Sequence, residues 1–322
     1  MSAANALRRL RAAAAGPGLR RALPIAVSAG ALAWVLGSFD LGRVAEALSP
    51  RIALVLLPAL LLYGAVTLAL EATTMLCLVP QRPTGFGAWT AARIKCASYL
   101  LTTVNYALGG AALTVLLRRR AALGLGEAAG IVILISATDL LVVLALGALA
   151  AASAGGDTPA VRAGALAGVG LAWFGGLVLL RAPASLGPLE RLRSLAVFEA
   201  LRATSLPRLS ALVALRVIFS FCFVGIAGAA FAAFGIAIPL ARLVVGMMVL
   251  AVIGALPIAV AGLGTGQVAA VYVFEGIAPP EALIALSLVL SGGLIALRVA
   301  MGLVFAREYT REALQGTVEA AP

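Results

Sequence analysis

Leu256-Pro257-Ile258-Ala259-Val260-Ala261-Gly262-Leu263-Gly264-Thr265-Gly266-Gln267 interrupts an apolar region that otherwise reads as one continuous helix. Pro257 has no backbone donor, and Gly262, Gly264 and Gly266 permit turns that other residues resist. In water such a stretch is a loop. In a bilayer, non-helical backbone persists only where protein or a wet cavity satisfies its polar groups, so a break here marks a candidate site. The same letters also fit a glycine-packed helix contact with a proline kink.

The chain around this break is 322 residues long, 63% hydrophobic and 11% charged, with a mean hydropathy of +1.10. Soluble domains are roughly half apolar and about a quarter charged, so the expected class is all-α, a polytopic membrane helix bundle. The net charge of +11 is carried almost wholly by arginine, since Lys95 is the only lysine. In a membrane protein such charge belongs on cytoplasmic loops facing anionic lipid. No clustered basic and aromatic surface points to nucleic acid. Histidine is absent, which removes the commonest metal ligand and general base. Cys77, Cys96 and Cys222 lie far apart, without metal spacing or a disulfide framework. Neither a cofactor nor a metal is expected, and neither is an enzyme.

The apolar segments run roughly over 22–38, 52–79, 86–117, 128–152, 161–180, 209–234, 243–275 and 281–305. A span needs about 20 residues, so most are simple candidates. Segments 86–117 and 243–275 are too long for one plain span, and each is broken in its middle. The first break is Thr102-Thr103-Val104-Asn105-Tyr106-Ala107-Leu108-Gly109-Gly110 and the second is the opening stretch. Residues 1–21 carry five arginines before the first apolar run, and they read as a basic cytoplasmic N-terminus rather than a cleaved leader. If 86–117 crossed the membrane, Arg118-Arg119-Arg120 would lie outside and every later loop would have the wrong sign. If it dips in and returns, only Arg43, Arg51, Arg162 and Arg242 remain outside. The expectation is six spans plus two re-entrant broken hairpins entering from opposite faces. A single transmembrane domain then covers 22–306, and a short tail, 307–322, is cytoplasmic. Both termini face the cytoplasm, and the expected location is the inner, cytoplasmic membrane.

The two broken regions resemble each other. Gly109-Gly110 is followed by an apolar arm and then Glu127-Ala128, and Gly262-Leu263-Gly264 is followed by an apolar arm and then Glu281-Ala282. Opposed entry and similar spacing fit an inverted-topology repeat, with a binding site between its halves. Coincidence in a Gly- and Ala-rich chain fits the same letters.

A hairpin that turns near the midplane leaves free amides at the start of its second arm, a setting suited to phosphate or carboxylate. Asn105, Gly109 and Gly110 on one hairpin, and Gly262, Gly264, Thr265 and Gln267 on the other, are therefore candidate substrate-binding residues. Thr102, Thr103 and Tyr106 could add hydrogen bonds, or their hydroxyls could simply satisfy the broken backbone. Asp139 lies about 12 residues into its segment, near mid-bilayer at about 1.5 Å per residue. Ionisable groups at that depth face a cavity or pair with one another, and Arg298 or Arg216 could partner Asp139. Asp139 and Arg298 are further candidate substrate-binding residues, with Arg298 read as facing a cavity and Arg216 as snorkelling to the cytoplasmic headgroups. Glu71 lies about two turns from the inner end of its segment.

Leu256-Pro257-Ile258 with Gly262-Leu263-Gly264-Thr265-Gly266 resembles the flippase-like integral membrane family, which includes the transmembrane half of lysylphosphatidylglycerol synthases and stand-alone relatives. The resemblance extends over roughly residues 22–306, through Gly109-Gly110, Asp139 and Arg298. It implies movement of lipids, or lipid-linked amino acids and sugars, between leaflets, with a membrane lipid or lipid-linked phosphate as the bound species. A second reading is a non-catalytic membrane partner of a glycosyltransferase or lipid-modifying enzyme. The family often carries an acid where Gln267 stands. It often has a polar or acidic residue and an arginine in the region of Ala111, Ala112 and Thr114, and Glu-Arg at Ser136-Ala137. The chain also has no stretch for the soluble domain that makes an aminoacyl lipid, so a complete synthase is not expected.

Overall fold

The computed structural model describes residues 50–79, 83–104, 106–153, 202–255 and 265–318, with isolated positions between 163 and 198. The expected segment 22–38, most of 161–180, Asn105 and residues 256–264, including Gly262 and Gly264, lie outside the described residues. Eight helices have described bounds: α1 (Pro50–Leu78), α2 (Ala88–Val104), α3 (Tyr106–Arg120), α4 (Leu125–Ser153), α5 (Leu206–Ala233), α6 (Leu240–Ala255), α7 (Thr265–Val273) and α8 (Pro280–Val318). Pro50, Pro207 and Pro280 sit at helix starts, where a missing N–H costs nothing. α5 ends at Gly235, whose φ of 70° is left-handed. There Ile236 N–H donates to Phe231 O and Gly235 N–H to Ala232 O, closing a Schellman turn.

Among the described residues, four helices are long and apolar enough to cross a membrane: Pro50–Leu78, Leu125–Ala152, Leu206–Ala233 and Pro280–Phe305. They coincide with four of the segments expected from the sequence. The chain is an all-α, multi-pass membrane protein. Leu54, Leu57, Leu61 and Leu62 on α1 are largely exposed, as a lipid-facing stripe would be.

The packing has a regular exchange. α1 packs against α5. α2 packs on α3 and on α8, and α6 packs on α7 and on α4. α3 packs on α4 and α7 on α8, while α1 meets α2 and α5 meets α6. Replacing α1, α2, α3 and α4 by α5, α6, α7 and α8 converts each of these contacts into another one present.

Two apolar clusters show the direction of the helices. One joins Ala72, Met75 and Leu78 of α1 to Ala91 and Ile94 of α2, Leu113 and Leu117 of α3, Ile131 of α4, and Leu209 and Leu212 of α5. The other joins Ile52, Leu56 and Leu60 of α1 to Val224, Ala227 and Phe231 of α5, with Met247 of α6, Ala270 of α7 and Leu283 of α8. The end of α1 thus meets the start of α5 at one pole, and its start meets the end of α5 at the other. α1 and α5 run antiparallel, with the α2–α3 pair at one pole and the α6–α7 pair at the opposite pole.

Small residues set the closest approaches, as expected where lipid removes most of the hydrophobic drive. A Cβ on Gly293 of α8 would lie 2.7 Å from Leu60 Cδ1, and one on Gly302 would lie 2.6 Å from Leu100 Cγ. Gly246 of α6 faces the Phe274 ring so closely that a Cβ would overlap it.

Candidate functional site

Between the two clusters the buried stripes of α1 and α5 turn polar. Along α5 the buried positions Leu209, Leu212, Arg216, Ser220 and Val224 follow helical spacing. Along α1 the stripe runs Leu60, Tyr63, Thr67, Glu71, Thr74 and Leu78. Arg216 therefore occupies a core position and is fully buried. Its Nη1 lies 3.1 Å from Glu71 Oε1 and 3.5 Å from Asp139 Oδ1, and Nη2 donates to Thr74 Oγ1 at 2.5 Å. Lys95 Nζ reaches the same Glu71 Oε1 at 3.2 Å. The Phe219 ring lies 5.1 Å from the Arg216 guanidinium, a cation–π distance.

Two expectations change here. Arg216 does not snorkel, because Glu71, Thr74 and Asp139 bind its charge inside the bundle more closely than headgroups could. Lys95, whose charge the composition assigns with the arginines to cytoplasmic loops, belongs to α2 and turns inward to Glu71. Of the two partners considered for Asp139, the structure selects Arg216. Arg298 has no carboxylate in ion-pair range among the described residues. It lines both the spaces that Tyr63 lines.

Two adjoining cavities meet at this cluster. A polar chamber of about 140 Å³ is lined by Glu71, Lys95, Asp139 and Arg298, with Tyr63, Tyr99 and Thr102 among the hydroxyls. An apolar chamber of about 500 Å³ is lined by Phe223, Phe231, Met247, Met248, Phe274 and Leu290. Tyr63, Thr102, Tyr106, Asp139 and Arg298 line both, so these residues form the junction.

The break residues divide. Thr102 and Tyr106 at the α2–α3 turn, with Thr265 and Gly266 of the second break and Gly254 just before it, line the apolar chamber. Both broken regions therefore contribute to one space. Gly109 and Gly110 line the polar chamber but do not form the turn, since α3 already begins at Tyr106. Free amides after Gly109-Gly110 are thereby excluded: these glycines are inside a helix. Gly109 instead permits close approach, for a Cβ there would collide with Thr102. Thr102 Oγ1 donates to Ser98 O at 2.9 Å and Thr103 Oγ1 to Tyr99 O at 2.8 Å, so these hydroxyls serve their own helix. Thr265 Oγ1 is buried with no hydrogen-bond partner among the described residues. Gln267 is fully buried and lines neither chamber. Asn105, Gly262 and Gly264 lie outside the described residues.

The cluster holds the carboxylates Glu71 and Asp139 against Lys95, Arg216 and Arg298. With all five ionised, one positive charge is left over, and Arg298 is the cation without a carboxylate. In a medium of low dielectric an unmatched cation attracts an anion strongly. Among the described residues no three Cys, Asp or Glu are close enough to hold a metal ion.

The family model described as the lysylphosphatidylglycerol synthase TM region matches residues 21–302. No curated protein and no solved structure matches the chain.

Proposed function

The chain belongs to the family of the lysylphosphatidylglycerol synthase transmembrane region, and from that premise we propose that it binds a lipid phosphate and moves the lipid between leaflets. The observation that carries this reading is Arg298 at the junction of the two chambers. Its unmatched charge faces the polar space, and an apolar space large enough for chain methylenes opens beside it. An amphipathic anion would place its phosphate at Arg298 and its hydrocarbon among Phe223, Met248 and Phe274. Binding and release suffice for this role, without bond chemistry.

The packing supports the topology that movement requires. The α2–α3 and α6–α7 pairs lie at opposite poles of the antiparallel α1–α5 pair, and the contacts exchange under the swap of halves. Opposed re-entrant hairpins in an inverted repeat would give that pattern, and would put the site between the repeats. The arginine bias then sets both termini on the cytoplasmic side of the inner membrane.

The test is lipid movement in proteoliposomes carrying the purified chain and a trace of labelled anionic phospholipid. Faster movement than in protein-free vesicles, lost in Arg298→Ala, supports the reading. Equal rates with and without the protein would overturn it and favour a partner of a membrane glycosyltransferase or lipid-modifying enzyme.

A further inference from the structure

We propose that Asp139 is a proton-binding site that couples proton uptake to movement of the anionic lipid. The inference rests on the lipid-phosphate reading and adds its energy source. Arg216 Nη1 is divided between Glu71 Oε1 at 3.1 Å and Asp139 Oδ1 at 3.5 Å. Two buried atoms of the same cluster, Arg216 Nε and Glu71 Oε2, have no hydrogen-bond partner among the described residues. The two carboxylates differ in access: the Asp139 side chain is 26% exposed and that of Glu71 is 5%.

An arginine satisfies a carboxylate best through two parallel N–H···O bonds. From Arg216 the observed arrangement gives Glu71 only Nη1, on the Oε1 that Lys95 Nζ also reaches. A forked pair would also set Nε against Oε2, and both idle atoms would be used. What opposes it is the attraction of ionised Asp139 for Nη1. A proton on Asp139 removes that attraction and lets the guanidinium settle wholly on Glu71. The cluster thus has two arrangements, and the charge on Asp139 selects between them. The balance is simple: a proton leaves water in the chamber, an O–H bond forms on Asp139, and release to water reverses it.

The charged and titratable groups around Asp139 are Glu71 and Tyr63 of α1, Lys95 and Tyr99 of α2, Tyr106 of α3, Arg216 of α5 and Arg298 of α8. α6 packs along α4, but its one titratable residue, Arg242, donates instead to the Glu275 carbonyl at 3.0 Å. A phosphate drawn to Arg298 adds negative charge beside Asp139, which favours the protonated carboxyl. Loss of that proton as the phosphate departs restores the divided arginine. Phosphate and proton therefore bind together and leave together.

The experiment is movement of labelled phosphatidylglycerol in proteoliposomes of the full chain, measured from about pH 5 to 8 and under an imposed pH gradient, a range that brackets perturbed carboxylates. The expected wild-type result is a rate that changes several-fold over the range, and net lipid movement driven by the gradient and abolished by a protonophore. Asp139→Asn should flatten the profile, and Asp139→Glu should restore a pH dependence. A wild-type rate indifferent to pH and gradient overturns the coupling while leaving lipid movement standing. An Asp139→Asn profile identical to wild type does the same. No movement by the wild type at any pH overturns the parent reading and the coupling with it. If Asp139→Asn does not fold, the wild-type gradient measurement decides alone.

Discussion

Arg216 and Glu71, 3.1 Å apart, tie α5 to α1 at the level where both buried stripes become polar. The pair is fully enclosed, so its partners depend on each other. Replacing Arg216 by Ala leaves Asp139 without an ion-pair partner among the described residues and Glu71 with Lys95 alone, and a buried carboxylate short of its partner is costly. The expected loss is about 3–5 kcal/mol, read as unfolding in detergent. Thr74→Val removes the hydroxyl that accepts from Nη2 while keeping the side-chain volume, and should cost about 1–3 kcal/mol.

Gly109 and Gly293 give a contrast in glycine packing. At Gly109 a Cβ would meet the Thr102 backbone as well as its side chain, and backbone cannot move aside. At Gly293 it meets only the far end of Leu60. Gly109→Ala is therefore expected to lower stability by about 1–3 kcal/mol, and Gly293→Ala by less. Adding Thr102→Ala to Gly109→Ala should rescue part of the loss, as thermal unfolding of the three variants would show.

Arg298→Ala should leave the fold intact, because Arg298 is not part of an ion pair among the described residues. Binding of an anionic phospholipid should weaken by about 1.5–3 kcal/mol, roughly 10- to 100-fold. Arg298→Lys should recover part of it, since the charge stays but the planar fork is lost. A titration with lipid in detergent measures all three proteins.

Ala251 lines the apolar chamber and not the polar one. Ala251→Trp should fill part of that space and slow lipid movement several-fold. Short-chain soluble analogues of the same headgroup should bind almost as well as to the wild type. Analogue binding weakened as much as lipid movement is slowed would place the block elsewhere.

Much of this architecture is legible in the letters. Four apolar segments announce the long helices because spanning length and composition are read directly, and Asp139 stands out because a carboxylate deep in such a segment is expensive. Arg298 is legible for the same reason. The central role of Arg216 is not, because depth alone permits snorkelling. The missed signal was periodicity: Leu209, Leu212, Arg216 and Ser220 share one face, but a helix apolar all round hides which face is inside. Lys95 was hidden differently, since a basic residue near a helix start is ordinarily cytoplasmic. Gly109 was legible as special but not in its role, as a turn and a close approach both call for glycine. The partner helix decides between them.

The most direct test of the central claim is a structure of the chain in a lipid nanodisc containing phosphatidylglycerol. The account predicts a lipid phosphate within hydrogen-bonding distance of the Arg298 guanidinium, with one hydrocarbon chain among Phe223, Met248 and Phe274. Lipid confined to the outer surface, with water alone at Arg298, would contradict it.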